Sequence, residues 1–140
     1  MIFVDTSVVV AASTVLDRRH DACVDALAAA DAHGGCCSNH SLAELFNVLS
    51  GRPGPLRLSP LDAARVVAHT ARRFKTISLT ASEYVEAVEG LARLGHSGGI
   101  IYDALLMACA RKAKASRIYT LNAKHFRLVA PDLAARIVEP

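Results

Sequence analysis

The sequence lacks several features that would indicate a function class directly. Its 140 residues contain no Trp, and aromatic residues make up only 5% of the chain. Four cysteines are present, with no C-x-x-C pair and no Cys/His spacing of a zinc site: Cys23, Cys36, Cys37 and Cys109. These absences argue against a disulfide framework or a zinc centre, and they favour reduced, mostly buried thiols.

Long apolar segments are also missing. No apolar run approaches the roughly 20 residues that a membrane-spanning helix needs, and no basic stretch precedes the short apolar N-terminus. We therefore expect no membrane partner and no export, and we place the protein in the cytoplasm.

The composition favours one helix-rich domain. Hydrophobic residues make up 52% of the chain, and its length is sufficient for a core without disulfide or metal support, so we expect a single domain spanning residues 1–140. The net charge is only +3, but its distribution is uneven, because residues 111–127 contain six Lys or Arg and no acidic residue. This basic segment permits an anionic partner, although cations also commonly end helices.

Strand and helix patterns alternate along the chain. Strands are predicted at residues 2–4, 36–38, 75–79, 117–120 and 136–138, with amphipathic helices between them. This alternation predicts an α/β fold with a short, mainly parallel central sheet and helices on both faces. The helix that follows residue 80 is predicted to bury Tyr84, Val88 and Leu91, and the helix before the third strand is predicted to bury Leu61, Ala64 and Val67.

Asp5 is the first candidate for chemistry. It follows the apolar strand residues 2–4 directly, and a parallel strand delivers its last residue to the carboxyl edge of the sheet, where α/β folds bind ligands. The alternative is that Asp5 only caps the following helix, since Asp is a preferred N-cap residue.

Glu44 and Asp103 are two further carboxylates in apolar surroundings. Glu44 lies in the first turn of a predicted helix, where a capping box with Ser41 is the alternative explanation. Asp103 begins the most apolar helix, residues 100–113, where a favourable interaction with the helix dipole is the alternative. A carboxylate this close to a core needs hydrogen bonds, a cation or a proton.

A divalent cation is one solution for these carboxylates, because no Lys or Arg is near Asp5 in the sequence. Carboxylates about 4 Å apart repel one another by several kcal/mol per pair at an effective dielectric near 20. Oxygen ligands of this kind suit Mg²⁺ or Mn²⁺, and Mg²⁺ often bridges one or two carboxylates to a substrate phosphate.

The carboxylates and Asn122 lie in four short segments: Val4-Asp5-Thr6-Ser7, Ser41-Leu42-Ala43-Glu44, Tyr102-Asp103-Ala104-Leu105-Leu106 and Thr120-Leu121-Asn122-Ala123-Lys124-His125-Phe126. In their residues and their order, these segments resemble the motifs of the PIN-domain family, and within it those of the VapC-type ribonuclease toxins of bacterial toxin–antitoxin pairs. They span the chain from end to end.

The resemblance implies a PIN-like three-layer sandwich and a metal-dependent endoribonuclease. Asp5, Glu44 and Asp103 would bind Mg²⁺, with Mn²⁺ as a substitute, and Asn122 would complete the catalytic set. A metal-activated water would then hydrolyse RNA, and the basic segment 111–127 would hold flanking phosphates. The last motif often carries Asp where this chain has Asn122, which weakens the case for a second metal ion. His125 is a candidate for substrate contact.

The resemblance also implies partners. A VapB-type antitoxin would neutralise the toxin in the bacterial cytoplasm, and the family commonly forms homodimers. We expect the antitoxin in a groove among the first, third and fourth helices, which carry surplus apolar residues: Val8, Val9, Ala12, Leu42, Leu45, Phe46, Leu49, Leu61 and Val67. Core packing or homodimer contact is the alternative for each of these residues.

Two other functions remain open. One is a catalytically weak PIN-like module that only binds RNA or an antitoxin, which Asn122 motivates and the three carboxylates argue against. The other is a phosphatase with Asp5 as nucleophile, as in haloacid-dehalogenase-like enzymes. That reading is weaker, because the second Asp expected two residues later is Ser7.

Overall fold

The computed structural model describes residues 1–140. Five strands are present: β1 (Ile2–Val4), β2 (Gly35–Ser38), β3 (Lys75–Ile77), β4 (Arg117–Tyr119) and β5 (Ile137–Val138). Seven α-helices connect them: α1 (Thr6–Ala12), α2 (His20–Ala32), α3 (Asn39–Gly51), α4 (Pro60–Arg73), α5 (Ala81–Arg93), α6 (Ile101–Lys112) and α7 (Ala123–Val129). Short 3-10 turns precede α6 and follow α7, at Gly98–Ile100 and Pro131–Arg136.

The strands form one sheet in the order β3-β2-β1-β4-β5, and every neighbouring pair is parallel. β1 lies at the centre, where Phe3 pairs with Cys36 of β2 and Ile118 of β4. The predicted α/β architecture with a parallel sheet is therefore confirmed. All five strands present their carboxyl ends at the same edge, which contains Asp5.

The alternation of side chains along β1 divides the core into two layers. Ile2 and Val4 pack with residues of α1 to α4 on one face of the sheet, and Phe3 packs with residues of α5 to α7 on the other. Successive strand residues point to opposite faces, so two apolar clusters form. Helices therefore cover both faces, which makes the fold a three-layer sandwich.

The cysteines are free and buried, as predicted. Cys36 and Cys37 are neighbours on β2 and belong to the two opposite core clusters. Burial raises the pKa of the Cys36 thiol to about 11 and that of Cys37 to about 12. Both thiols therefore stay protonated at neutral pH and act as small apolar core groups.

Several predicted helix faces differ in the structure. Leu61 is 64% exposed, because α4 packs on α3 through the face that contains Ala63 and Thr70. Tyr84 and Val88 of α5 are exposed as well, whereas Leu91 is buried as predicted. Both helices carry apolar residues on more than one face, so the sequence pattern alone did not identify the face that packs against the core.

The proposed antitoxin groove also needs correction. Leu45 and Leu49 of α3, with Val8 and Val9 of α1, are buried in the core beneath the sheet. Phe46 is the large α3 side chain that stays exposed.

None of the α-helices combines the length and the apolar composition that a membrane-spanning helix requires.

Candidate active site

A cleft of about 380 Å³ opens at the carboxyl edge of the sheet. It is lined by all four residues that the sequence analysis singled out: Asp5, Glu44, Asp103 and Asn122. Asp5 follows β1, Glu44 lies on α3, Asp103 on α6 and Asn122 immediately before α7. The parallel topology thus gathers residues that are far apart in the sequence.

Asp5 is held by two hydroxyl groups. Its Oδ2 accepts hydrogen bonds from Ser7 Oγ at 2.5 Å and from Thr120 Oγ1 at 2.8 Å. Asp5 occupies the N-cap position of α1, but its side chain makes no capping hydrogen bond. Capping therefore does not explain this carboxylate, and Oδ1 is the oxygen that remains available to a ligand in the cleft.

Burial raises the pKa of Asp5 to about 6, and the nearby charge of Glu44 adds to this effect. The hydrogen bonds from Ser7 and Thr120 lower the pKa and only partly offset the burial. The side chain is only 5% exposed. Asp5 is thus a desolvated carboxylate for which a cation would be favourable.

The two hydroxyls that hold Asp5 also fix the segment carrying Asn122. Thr120 Oγ1 accepts a hydrogen bond from the backbone N–H of Asn122 at 2.9 Å, and Ser7 Oγ accepts one from the N–H of Leu121 at 3.0 Å. Thr120 is completely buried. The segment between β4 and α7 is therefore connected to Asp5 through a closed hydrogen-bond network.

Glu44 points back towards the first motif. Its Oε2 accepts a hydrogen bond from Thr6 Oγ1 at 2.8 Å. The capping box with Ser41 is wrong, because α3 begins three residues earlier and Ser38 is its N-cap, accepting from the N–H of Ser41 at 2.9 Å. The position of Glu44 is therefore explained by its contact with α1 across the cleft.

Asp103 lies in the first turn of α6, with its side chain 20% exposed. Burial raises its pKa, Glu44 raises it further, and His125 lowers it. His125 Nδ1 lies 3.6 Å from Asp103 Oδ2 and 3.2 Å from Asn122 Nδ2. The last motif thus contributes a histidine beside the third carboxylate, where the sequence analysis named His125 only as a substrate contact.

Arg19 is a cleft residue that the sequence analysis missed. It lies between α1 and α2 and lines the same cleft as the carboxylates. Its Nε is 3.4 Å from Asp17 Oδ1, and its backbone N–H donates to the same oxygen at 2.8 Å. Its terminal amino groups have no hydrogen-bond partner in the protein. No motif marks the position, since only the fold brings residue 19 close to residue 5.

The basic segment does not surround the cleft as a unit. Arg111 forms a two-point ion pair with Asp132, at 2.9 and 2.5 Å, and Lys112 pairs with Glu83 at 2.7 Å. Both lie at the opposite end of α6 from Asp103, about 12 Å away along the axis at the usual rise per residue. These two residues therefore do not line the cleft, and their expected contact with flanking phosphates stays a prediction.

The ligands in the cleft suit a divalent ion that keeps several water molecules better than one coordinated by protein side chains alone. The cleft offers carboxylate and amide oxygens, which are the ligands that Mg²⁺ prefers. However, no three His, Cys, Asp or Glu side chains lie close enough together to hold an ion by themselves. Mg²⁺ usually keeps several waters and uses only one or two carboxylates, so the residues present fit such an ion.

Comparison with known proteins identifies the family. A PIN domain model matches residues 2–130. The chain belongs to the PIN domain family. Among curated relatives of this PIN domain, ribonuclease VapC27 of Mycobacterium tuberculosis is 34% identical over 80% of the chain and 78% of the relative. Ribonuclease VapC40 of the same species is 33% identical over 82% of both chains. The resemblance to VapC-type proteins is therefore confirmed.

Solved structures agree with this assignment. The PIN domain superposes on the crystal structure of Mycobacterium tuberculosis VapC20, described as a Sarcin-Ricin loop cleaving toxin, with a TM-score of 0.71 and 26% identity, covering 89% of this chain and 92% of that one. VapBC2 from Rickettsia felis, bound to a DNA fragment from its promoter, gives a TM-score of 0.69 at 22% identity over 99% and 98% of the two chains. The second similarity shows the fold alone.

Proposed function

We propose that this PIN domain protein is a Mg²⁺-dependent endoribonuclease and the toxin of a VapBC-type toxin–antitoxin pair. The ribonuclease class follows from the family and the VapC relatives. One observation supports the site: carboxylates from three separate elements, Asp5, Glu44 and Asp103, line one cleft at the carboxyl edge of the sheet. Burial raises the pKa of two of them, Asp5 and Asp103.

Asp5 and Asp103, with Glu44, are the residues that would hold the ion. A bound divalent ion supplies Lewis acidity at the scissile phosphate and generates a nucleophile from water at neutral pH. Thr120 and Ser7 both donate to Asp5 Oδ2, so Oδ1 is the oxygen left available to an ion. Thr6 keeps the Glu44 carboxylate turned towards Asp5. Mn²⁺ offers the same preference for oxygen ligands.

Two further cleft residues face the substrate: Arg19, which is cationic, and Asn122, which is neutral. The unpaired end of the Arg19 guanidinium presents donors that match phosphate oxygens, and Asp17 positions it. Asn122 contributes an amide to the same cleft, beside His125, without adding negative charge. We assign the phosphate contact in the cleft to Arg19.

The antitoxin is the partner that must block this open cleft. A basic side chain of the antitoxin would enter the acidic cleft and satisfy its carboxylates. Exposed apolar side chains of α3 and α4, Phe46 and Leu61, are where we place the adjoining contact. The homodimer that the family resemblance implies stays a prediction, and molar mass in solution checks it.

A catalytically weak RNA-binding module is the second candidate. The observation that favours it is that no three metal-binding side chains are gathered closely enough to hold an ion unaided. Asn122 in place of a carboxylate also lowers the affinity for a metal ion, because it adds no negative charge. A binding module of this kind would bind RNA with and without Mg²⁺ but would not cleave it.

Sequencing of new 5′ ends of cellular RNA tests the proposal. Wild-type protein and an Asp103→Asn variant are each expressed briefly in a bacterial host. We expect discrete new ends and growth arrest with the wild type and neither with the variant. Co-expression of the cognate antitoxin should abolish both. Identical 5′ ends with the two proteins would contradict the assigned site, and no new ends with either would favour the binding module.

A further inference from the structure

Tyr102 and His40 form a stacked aromatic pair beside the acidic cleft. Their ring centroids are 5.3 Å apart and the ring planes differ by only 4°. Tyr102 directly precedes Asp103 on α6, and His40 lies one helical turn before Glu44 on α3. Residues four apart on a helix share a face, so His40 projects on the same side of α3 as Glu44. The stack therefore joins the two helices that supply two of the three carboxylates.

The outer face of this stack is open to solvent. Tyr102 is 54% exposed, although the chain has only three tyrosines and no Trp. Tyr119, in contrast, is buried, and four of the seven aromatic residues belong to the core: Phe3, Phe74, Phe126 and Tyr119. The contact with His40 leaves more than half of Tyr102 accessible, so ring surface remains available to a ligand. A preorganised aromatic surface is thus presented to solvent at the residue next to Asp103, which lines the cleft.

Core packing does not account for this pair. Neither residue belongs to the buried apolar clusters, and the Tyr102 hydroxyl makes no hydrogen bond within the protein. Proteins that bind single-stranded RNA use such exposed rings to stack unpaired bases. The ring next to Asp103 would meet the nucleotide adjacent to the phosphate that reaches the carboxylates.

We propose that the Tyr102–His40 stack is a base platform that binds an unpaired nucleobase next to the scissile phosphodiester. This inference rests on the proposed ribonuclease function and adds to it a base-binding residue, Tyr102, together with the side chain that positions it. Tyr102 contacts the base, and His40 is a positioning residue that holds the ring flat. Stacking tolerates every base, so the platform selects unpaired RNA and leaves sequence choice to other contacts.

The absence of Trp makes a direct spectroscopic test available. The Tyr102→Trp variant keeps a ring at the platform and introduces a single indole. A matched control is Phe46→Trp, an exposed aromatic position on the same helix as His40 that is not part of the stacked pair. Both are made in an Asp5→Asn background with Mg²⁺ present, so that a short single-stranded oligoribonucleotide stays intact. We expect the oligoribonucleotide to quench the indole of Tyr102→Trp and to leave that of Phe46→Trp unchanged.

Affinity measurements complete the test. In the same background, Tyr102→Ala should weaken binding of the oligoribonucleotide by about 5- to 150-fold, the range for loss of one base–aromatic stack. Tyr102→Phe should bind like the parent, because the ring and not the hydroxyl is required. A duplex of the same sequence should bind Tyr102→Ala and parent equally. Melting temperatures check that each variant is folded.

The outcomes separate this inference from the proposed function. Equal quenching at both indole positions, or unchanged affinity in a folded Tyr102→Ala variant, would overturn the platform. If the wild type cleaves RNA and Tyr102 has no effect on binding, the platform fails and the ribonuclease stands. If binding depends on Tyr102 but the wild type cleaves nothing, the platform stands and the ribonuclease fails.

Discussion

Thr120 and Asp5 are 115 residues apart in the sequence, and the Thr120 hydroxyl donates a hydrogen bond to Asp5 Oδ2 at 2.8 Å. The same hydroxyl oxygen accepts the N–H of Asn122 at 2.9 Å. One buried side chain therefore connects the first and last motifs of the site. It also lowers the pKa of Asp5 against the larger effect of burial.

Thr120→Val tests how much this connection contributes to stability. Valine matches the shape of threonine but removes both hydrogen bonds, and it leaves a buried carboxylate and a backbone N–H with fewer partners. We expect the free energy of unfolding to fall by about 1–3 kcal/mol, as is typical for hydrogen bonds to charged groups. Urea unfolding measures the change. Thr120→Ser, which keeps the hydroxyl, should lose much less, and equal losses in both variants would contradict this role.

The raised pKa of Asp5 predicts an unusual pH dependence of stability without metal. Between the unfolded value of 3.8 and the folded value of about 6, the native state binds more protons than the unfolded state. Stability should therefore fall as pH rises through this window, by about 3 kcal/mol for a shift of about two pKa units. Asp103, whose pKa is also raised, contributes in the same direction.

Thermal or urea unfolding in EDTA from pH 4 to pH 7 checks this dependence. Asp5→Asn should remove most of the loss of stability with rising pH, and this variant should be more stable than the wild type at pH 7. Asp25→Asn, at an exposed position on α2, is the control and should follow the wild type. A stability difference between the wild type and Asp5→Asn that stays constant across the window would show that Asp5 is not the desolvated group described here.

Much of the architecture was predictable from the sequence. Short apolar strands alternating with helices determine the parallel sheet, and a carboxylate placed directly after β1 must lie at its carboxyl edge. The helix faces were less predictable, because α4 and α5 carry apolar residues on more than one side, and Leu61 and Tyr84 proved to be exposed. Arg19 could not be found, since its place in the cleft depends on the conformation of the loop between α1 and α2, which no sequence pattern specifies.

Arg19→Ala tests the phosphate contact assigned to this loop. We expect a higher KM for RNA with little change in kcat, and a slope of log affinity against log salt that is smaller by about 0.7, as for one phosphate contact on a single strand. Arg18→Ala is the matched control, because Arg18 is the adjacent exposed residue and does not line the cleft. Equal effects of both substitutions would indicate general charge attraction only.

Asn122→Asp tests the departure from the usual family pattern. A fourth carboxylate near Asp103 raises the negative charge of the cleft, so we expect tighter Mg²⁺ binding, measured by calorimetry. Asn122→Ala should reduce cleavage less than Asp5→Asn does. Complete loss of activity in Asn122→Ala, equal to that of Asp5→Asn, would show that Asn122 is itself a primary ligand.

Cleavage of a labelled RNA by the purified protein tests the metal-dependent site most directly. With Mg²⁺ or Mn²⁺ the wild type should cut the RNA, and EDTA should stop the reaction until excess Mg²⁺ restores it. Asp5→Asn, Glu44→Gln and Asp103→Asn should each lose most activity, and the double variants should lose little more, because the carboxylates act as a unit. Cleavage by the wild type that continues unchanged in EDTA, or full activity in Asp5→Asn, would contradict the account.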